Sequence, residues 1–327
     1  MSTPPGAQGT QLRPDANVPA GLFAYERERA AEGRTGEGLH VGRRAALVRR
    51  RTREFGVVRR RFDPLDPSPL HLSPMEPLAG RVGIVTGASA GIGVAAARAL
   101  AAAGMTVVLA ARRAERLDAL AHEIRAAGGT ADAVATDLRD ERQVEALVDG
   151  AVARHGRLDA LVNNAAVGTI RPIADGRTAE WRAILETNVL GVLVACRAAL
   201  RHMLPAGRGD IVNVTSASAH EAWPYLAVYA ASKAAVHTLS RGLRAEVAER
   251  GVRVMTLEVH NVRGTEFAGS FDPALLPDAL AAWRARGLLN PAAPMIEPAD
   301  VAAAVVFQLA ARDPASVHEV VLRSRSN

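Results

Sequence analysis

The chain has 327 residues, 49% of them apolar, and a net charge of +6, which fits one α/β domain of about 250 residues with a remainder to explain. The most apolar run, Val94 to Ala111, still contains Arg98, and the N-terminus lacks a basic-then-apolar leader pattern, so neither a membrane span nor a signal peptide is expected. The lone Cys196 excludes an intrachain disulfide, suits a reducing cytoplasm and reads as core filler within Val192–Cys196; residues 1–74 hold 13 arginines and 8 acids, so the rest is nearly neutral and no nucleic-acid patch is expected on it.

Residues 1–77 are rich in Pro, Gly and Arg, with clusters Arg49–Arg51 and Arg59–Arg61 and a Pro-spaced run from Asp63 to Pro77. Short helices are predicted around 24–32 and 42–55, but no periodic pattern supports an independent core, so 1–77 reads as a disordered extension. Met75, just before the first confident strand, is a candidate translation start. An Arg-rich arm for nucleic acid is the sharper alternative for 1–74.

From residue 78 to 327 the pattern alternates. Strands are predicted at Val82–Thr86, Thr106–Ala110, Ala131–Ala135, Leu158–Val162, Ile211–Thr215, Val252–Leu257 and Val317–Leu322. Helices are predicted at Gly91–Ala103, Ala114–Ala127, Glu141–His155, near 179–203, at 227–249 and at Ala299–Ala311. In Glu141–His155, Val144, Leu147, Val148, Ala151 and Val152 share one face. This alternation predicts an α/β fold: a single Rossmann-type, doubly wound parallel sheet of seven strands with helices on both faces. Ligands in such sheets sit beyond the C-terminal strand ends, at the switch in strand order.

The first strand runs into Thr86-Gly87-Ala88-Ser89-Ala90-Gly91-Ile92-Gly93 and then the first helix. The glycines permit a tight turn and a close backbone approach, and the helix N-terminus offers unpaired N–H groups to a pyrophosphate. The second strand ends in Arg112-Arg113, where a free ribose 2′-hydroxyl would call for an acid. Arginines there, with Ser89, favour a 2′-phosphate, hence NADP(H) over NAD(H).

Tyr229 and Lys233 lie four apart, on one face of a predicted helix, and Lys233 is the only lysine among 40 basic residues. A phenol is a poor acid or base at neutral pH, and a neighbouring ammonium lowers its pKa toward the working range. Arg cannot imitate a compact ammonium. Upstream, Ser216 ends a strand, placed to hydrogen-bond a substrate oxygen.

With these pieces in place the chain resembles the short-chain dehydrogenase/reductase family over roughly 78–325. The matching pieces are Thr86–Gly93, Asp137-Leu138 after the third strand, Asn163-Asn164-Ala165 after the fourth, Asn188, Asn213 through Ser216, and Tyr229 with Lys233. The resemblance implies that Tyr229 donates or accepts the substrate proton, that Lys233 depresses the phenol pKa and holds the nicotinamide ribose, and that Ser216 positions the carbonyl. It implies that Asn188 organises a proton relay and that Asp137 and Asn163 line the adenine side. It also implies an enzyme acting on CH–OH donors, a small-molecule carbonyl/alcohol substrate, and a cytoplasmic homodimer or homotetramer. The stretch from Glu297-Pro298 through Val320–Leu322 looks like the NADP-dependent branch acting on small hydroxy acids and aldehydes.

The chain departs from the family pattern at two places. Ala166 stands where Gly is usual. After the sixth strand, Glu258-Val259-His260-Asn261-Val262-Arg263-Gly264-Thr265 lacks the usual Pro-Gly and is one residue longer. Thr265 is expected to meet the nicotinamide, displaced by one. His260 and Arg263 are candidates for an anionic substrate or plain loop residues. Residues 262–297 are read as a substrate lid, in which Phe267, Phe271, Leu275, Leu276, Trp283, Leu288 and Leu289 either wall a pocket or pack the lid. Tyr225 is read as pocket wall or core. The altered loop keeps one alternative open: a catalytically silent dinucleotide-binding protein of the same fold.

Overall fold

The computed structural model describes residues 75–290, 292–311 and 316–324. The two short helices and the arginine clusters expected before residue 75 lie outside them. The described chain begins pinned to the domain: the Glu76 amide donates to the Ala310 carbonyl at 2.8 Å, and Leu78 is buried.

Seven parallel strands form one sheet, β1 (Val82–Thr86), β2 (Thr106–Ala111), β3 (Thr130–Ala135), β4 (Ala160–Asn163), β5 (Gly209–Ser216), β6 (Val252–Val259) and β7 (Glu319–Leu322). Their order is β3-β2-β1-β4-β5-β6-β7. The order reverses between β1 and β4, the crevice where ligands of such sheets bind. All five residues of β1 are buried, as a central strand covered on both faces requires. β4 starts later than predicted. The Asp159 amide already donates to the Val82 carbonyl, but its side chain takes the Val82 amide at 2.8 Å and Arg157 at 2.6 Å, and the paired register begins at Ala160. β7 is likewise shorter than predicted.

Helices α1 (Gly91–Ala102), α2 (Ala114–Ala126) and α8 (Pro298–Ala310) cover one face, and α3 (Glu141–His155), α5 (Gly191–Ala206) and α6 (Ala227–Val247) the other. Between them in sequence come α4 (Thr178–Leu185) and α7 (Leu276–Ala285). α1 buries Gly93, Ala96, Ala97, Leu100 and Ala101, the three-and-four spacing of one stripe. α3 has the predicted bounds because both ends are marked: Asp140 accepts from the Arg142 and Gln143 amides, and Gly156 takes φ 74° after the last turn.

The helix predicted near 179–203 is α4 and α5 joined by a π turn, Glu186–Leu190, that carries Asn188. The joined span Thr178–Ala206 is long and apolar enough to cross a membrane by length and composition, although it carries Glu186 and Arg197. Half of it is buried, and Val192, Ala195, Ala198, Ala199 and Met203 pack on the sheet, as in the core helix of a globular domain.

Two polar systems knit the layers. Asn163 donates to Asn213 at 2.8 Å, Asn213 to Ser240 at 2.8 Å, and Ser240 to the Val236 carbonyl at 2.7 Å, tying β4, β5 and α6. At the opposite, N-terminal end of the strands, the buried Asp210 carboxylate accepts from Arg253 at 2.6 and 2.8 Å and from Arg81. Removing one member of a buried charged set leaves the rest uncompensated. Asp210→Ala is therefore expected to lower unfolding free energy by about 3 kcal/mol, with a matching drop in thermal midpoint followed by circular dichroism. A loss below about 1 kcal/mol would show that both arginines find water without it.

Candidate active site

The glycine turn is held from below. Thr86 Oγ1 accepts the Asn164 and Ala165 amides at 3.1 and 3.2 Å, and Asn164 Nδ2 donates to the Thr86 carbonyl at 2.9 Å. This locks the end of β1 to the end of β4. Gly87 takes φ +68°, and a Cβ there would come within 2.8 Å of the Ala165 backbone; at Gly93 it would come within 2.2 Å of the Gly87 carbonyl oxygen. No larger residue fits either place. The Ala90 N-cap provides no side-chain acceptor, and the first turn of α1 holds no acid, so its N–H groups face the cleft uncapped. Such an end suits an anion.

A cleft of about 520 Å³ runs from this turn across the strand ends. Of the predicted residues it is lined by Gly87, Ser89, Ala90, Gly91, Ile92, Arg112, Arg113, Asp137, Leu138, Asn164, Ala165, Ser216, Tyr229, Lys233 and Thr265. Gly93 supports the turn from behind. Asn163 does not belong with them: it is buried between β4 and β5 on Asn213 and Cys196, and its neighbour Asn164 takes the cleft-facing place. Cys196 is buried core, and burial pushes its thiol up to about 12, which leaves it unreactive.

At the adenosine end, Arg113 donates to Ser89 Oγ at 2.8 Å and ion-pairs with Glu266 at 2.7 Å. Arg116 binds the other Glu266 oxygen. Arg112 makes no hydrogen bond or ion pair among the described residues, while Asp137 is paired with Arg139 at 2.6 Å. The two predicted arginines are thus unequal: Arg112 acts on Asp137 only through space, while Arg113 already holds a carboxylate.

At the other end Tyr229 and Lys233 stand on α6 under the end of β5. Lys233 Nζ donates to the Val214 carbonyl at 2.9 Å and lies 5.9 Å from the Tyr229 ring centre. Burial lowers the ammonium to about 8. The same burial pushes the phenol up to about 12, and hydrogen bonding to Ser216 pulls the other way. In this arrangement the ammonium is directed at the Val214 carbonyl rather than at the phenol. Ser216 Oγ also receives the Ser218 hydroxyl at 3.1 Å.

Asn188 is fully occupied. Its side chain exchanges hydrogen bonds of 2.8 Å with both the amide and the carbonyl of Val167, and donates to Ser232 at 3.0 Å. Ser232 in turn donates to the Tyr229 carbonyl at 2.6 Å. The π turn thus ties the Val167 loop to the helix that carries Tyr229.

The altered loop stays attached to the sheet. The His260 amide donates to Leu322, and Val262 bridges to Ile296. Gly264 adopts φ +65°, and Thr265 lies against Gly91. Arg263 pairs with Glu297 at 2.8 Å, away from the cleft. His260 lines the cleft with its side chain 5% exposed, and burial lowers its pKa. From the 262–297 segment, Phe267 lines the cleft and packs 4.6 Å from the Tyr229 ring. Phe271, Leu275, Leu276, Trp283, Leu288 and Leu289 instead pack around Ile170, Trp223 and Leu226. Tyr225 joins that cluster at φ 68°. Sequence reasoning missed Glu266, Trp223 and Met295 at the cleft; the charge of Glu266 two residues past Gly264 carries no signal until α2 is placed opposite.

A model of the short chain dehydrogenase family matches residues 81–275. The chain is 33% identical over 77% of its length to a glycine betaine reductase of Emericella nidulans, of which it spans only 19%. It is 32% identical over 76% of its length to an uncharacterized oxidoreductase of Staphylococcus aureus, covering 99% of that protein. Among solved structures it is similar to a gluconate 5-dehydrogenase from Burkholderia cenocepacia in complex with NADP and tartrate, with a TM-score of 0.67 and 32% identity over 76% of this chain and 96% of that one. Glycine turn, strand order and matched span agree, and the chain belongs to the short-chain dehydrogenase/reductase family.

Proposed function

We propose that the protein is an NADP(H)-dependent oxidoreductase that interconverts a carbonyl compound and its alcohol, with Tyr229 as the acid/base. The observation that carries this reading is the placement of Ser216, Tyr229 and Lys233 at one end of a cleft whose other end is the uncapped glycine turn. When bound, the nicotinamide supplies or accepts the hydride. Tyr229 gives its proton to the carbonyl oxygen in reduction and takes one from the alcohol in oxidation. Burial opposes the phenolate, and the hydrogen bond to Ser216 favours it. Ser216 holds the same oxygen and stabilises charge building on it. Lys233, buried beside the phenol, supplies positive charge against a developing phenolate. Asn188 fixes the pose of α6 through Ser232.

The residues fit the dinucleotide: the α1 N-terminus takes the pyrophosphate, and Arg112 with Arg113 takes the 2′-phosphate. The bound NADP of the gluconate 5-dehydrogenase supports that choice. At the substrate end, Trp223, Leu226, Phe267 and Met295 line the cleft while Arg263 turns to Glu297. This supports an aldehyde or ketone with an apolar body over a hydroxy acid.

Tyr229→Phe is expected to lower kcat by about 100- to 10,000-fold while dinucleotide binding, followed by nicotinamide fluorescence, is retained. Turnover would be read over a panel of apolar aldehydes and ketones against hydroxy acids, and activity of the variant within tenfold of the parent would sink the assignment. In the same binding assay Arg112→Ala is expected to weaken NADPH by about 10- to 100-fold, the worth of one charge-assisted contact, with NADH little changed. Equal losses for both cofactors would remove Arg112 from phosphate recognition.

A further inference from the structure

Outside the proton-transfer trio, a second cluster of polar side chains is gathered between α6 and the ends of β5 and β6. The β5–β6 register pairs Thr215 with Glu258, which sets Glu258 beside the end of β5. The chain leaves β5 through the 3₁₀ turn Ala217–Ala219, and this brings His220 over Glu258. α6 adds His237, one helical turn beyond Lys233. His260 follows Glu258 by two residues, so both project from the same side of the chain.

We propose that His220, His237 and Glu258 form a binding site for a divalent transition-metal ion, zinc by its donor set. One donor atom from each lies within 4.8 Å of the others. His220 Nε2 is 3.2 Å from a Glu258 oxygen, and the two imidazoles meet nearly edge-on, 88° apart, with centres 4.7 Å apart. A tetrahedral zinc with ligand distances of about 2.0–2.2 Å separates its donor atoms by about 3.3–3.6 Å, so side-chain rotations can close the three on one ion. Two imidazoles and a carboxylate are the three-ligand set of open zinc sites, and imidazole selects zinc over magnesium or calcium.

The second observation is a set of buried polar atoms with no hydrogen bond. Glu258 Oε1, His237 Nδ1 and His260 Nε2 are all in this state. The Glu258 side chain is 7% exposed, and the nearest cationic groups to Oε1 are His260 Nε2 at 3.5 Å and Arg323 at 3.6 Å, too far for good hydrogen bonds. Glu258 Oε1 and His260 Nε2 face each other and Arg323, whereas His237 Nδ1 is left without a hydrogen bond, and a buried polar atom so left marks a missing partner. Around the cluster, Arg323 also approaches Glu221 at 3.7 Å, and His237 Nε2 lies 3.8 Å from Glu319, which Arg244 approaches at 3.9 Å. Arg323 is half exposed and can swing out as the ion enters. The site shares no residue with Ser216, Tyr229 and Lys233, so it stands or falls apart from the oxidoreductase reading. A bound ion would tie the turn after Ser216 to α6 and β6.

The test uses the full chain, stripped with a chelator, reloaded with Zn(II), gel-filtered and analysed for metal, with Co(II) as the spectroscopic probe. Retained stoichiometric zinc, the visible bands of four-coordinate Co(II) and a raised thermal midpoint are expected. His220→Ala alters a half-exposed side chain and leaves the core intact, and Glu258→Gln keeps the volume. Each is expected to weaken zinc by at least about 100-fold, beyond the loss of an outer-shell partner. His202→Ala, whose imidazole pairs with Asp149 elsewhere, is expected to retain the ion. Zinc lost on gel filtration of the parent chain, or zinc held equally by His220→Ala and Glu258→Gln, would overturn the site and leave a His–Glu ion pair.

Discussion

The desolvation of one ammonium governs how this site is built. Lys233 is 4% exposed and, among the described residues, has a single hydrogen bond, to the Val214 carbonyl. A charge so placed is costly, and the protein answers with a lowered pKa rather than with a counter-ion. That choice sets what the neighbours can be. A carboxylate near Nζ would quench the positive charge that a phenolate at Tyr229 requires, and the cleft places hydroxyl groups and backbone there instead. A guanidinium could not sit in the same space, which gives the only lysine of an arginine-rich chain a physical reason.

Holding that ammonium and phenol in register falls to elements far apart in sequence. Asn188 sits in a π turn, and it spends its side chain on Val167 and Ser232, so the widened helix braces both the Val167 loop and α6. The buried Asn163–Asn213–Ser240 chain does the same one layer down. Phe267 closes over Tyr229 from the other side, and Glu266 beside it grips Arg113 and Arg116. One short turn therefore touches both the phenol and the arginines at the adenosine end. A phosphate taken up at Arg113, as proposed, would meet Glu266 on the same guanidinium.

Much of this was legible in the sequence because it rests on local rules. Helical spacing gave α1 and α3, with Asp140 and Gly156 marking the limits of α3. The glycines at 87, 91 and 93 announced the turn because close backbone approach admits nothing larger. Tyr229 and Lys233 stood out by their spacing and by the rarity of lysine. What escaped depends on pairing across the fold. Asn163 and Asn164 are adjacent and chemically identical, and only strand alternation sends one into the core and the other to the cleft. Arg112 and Arg113 diverge because Glu266, distant in sequence, claims one of them. His220, His237 and Glu258 carry no motif, since the β5–β6 register and the start of α6 bring them together.

The loop after β6 departs from the family pattern and still brings Thr265 to the glycine turn. Without Pro-Gly, the chain stays extended past Val259, its His260 amide bound to β7 and Val262 bridged to Ile296. Two further backbone bonds, Arg263 to Ile296 and Ile296 to Asn261, extend that pairing. Gly264 then takes a φ of +65°, which a side-chain-bearing residue would resist. The chain then returns in time to lay Thr265 against Gly91, at the mouth of the glycine turn. The feature that motivated a silent, binding-only reading is thereby accounted for by backbone pairing, and it gives no ground for setting aside the chemistry of Ser216, Tyr229 and Lys233.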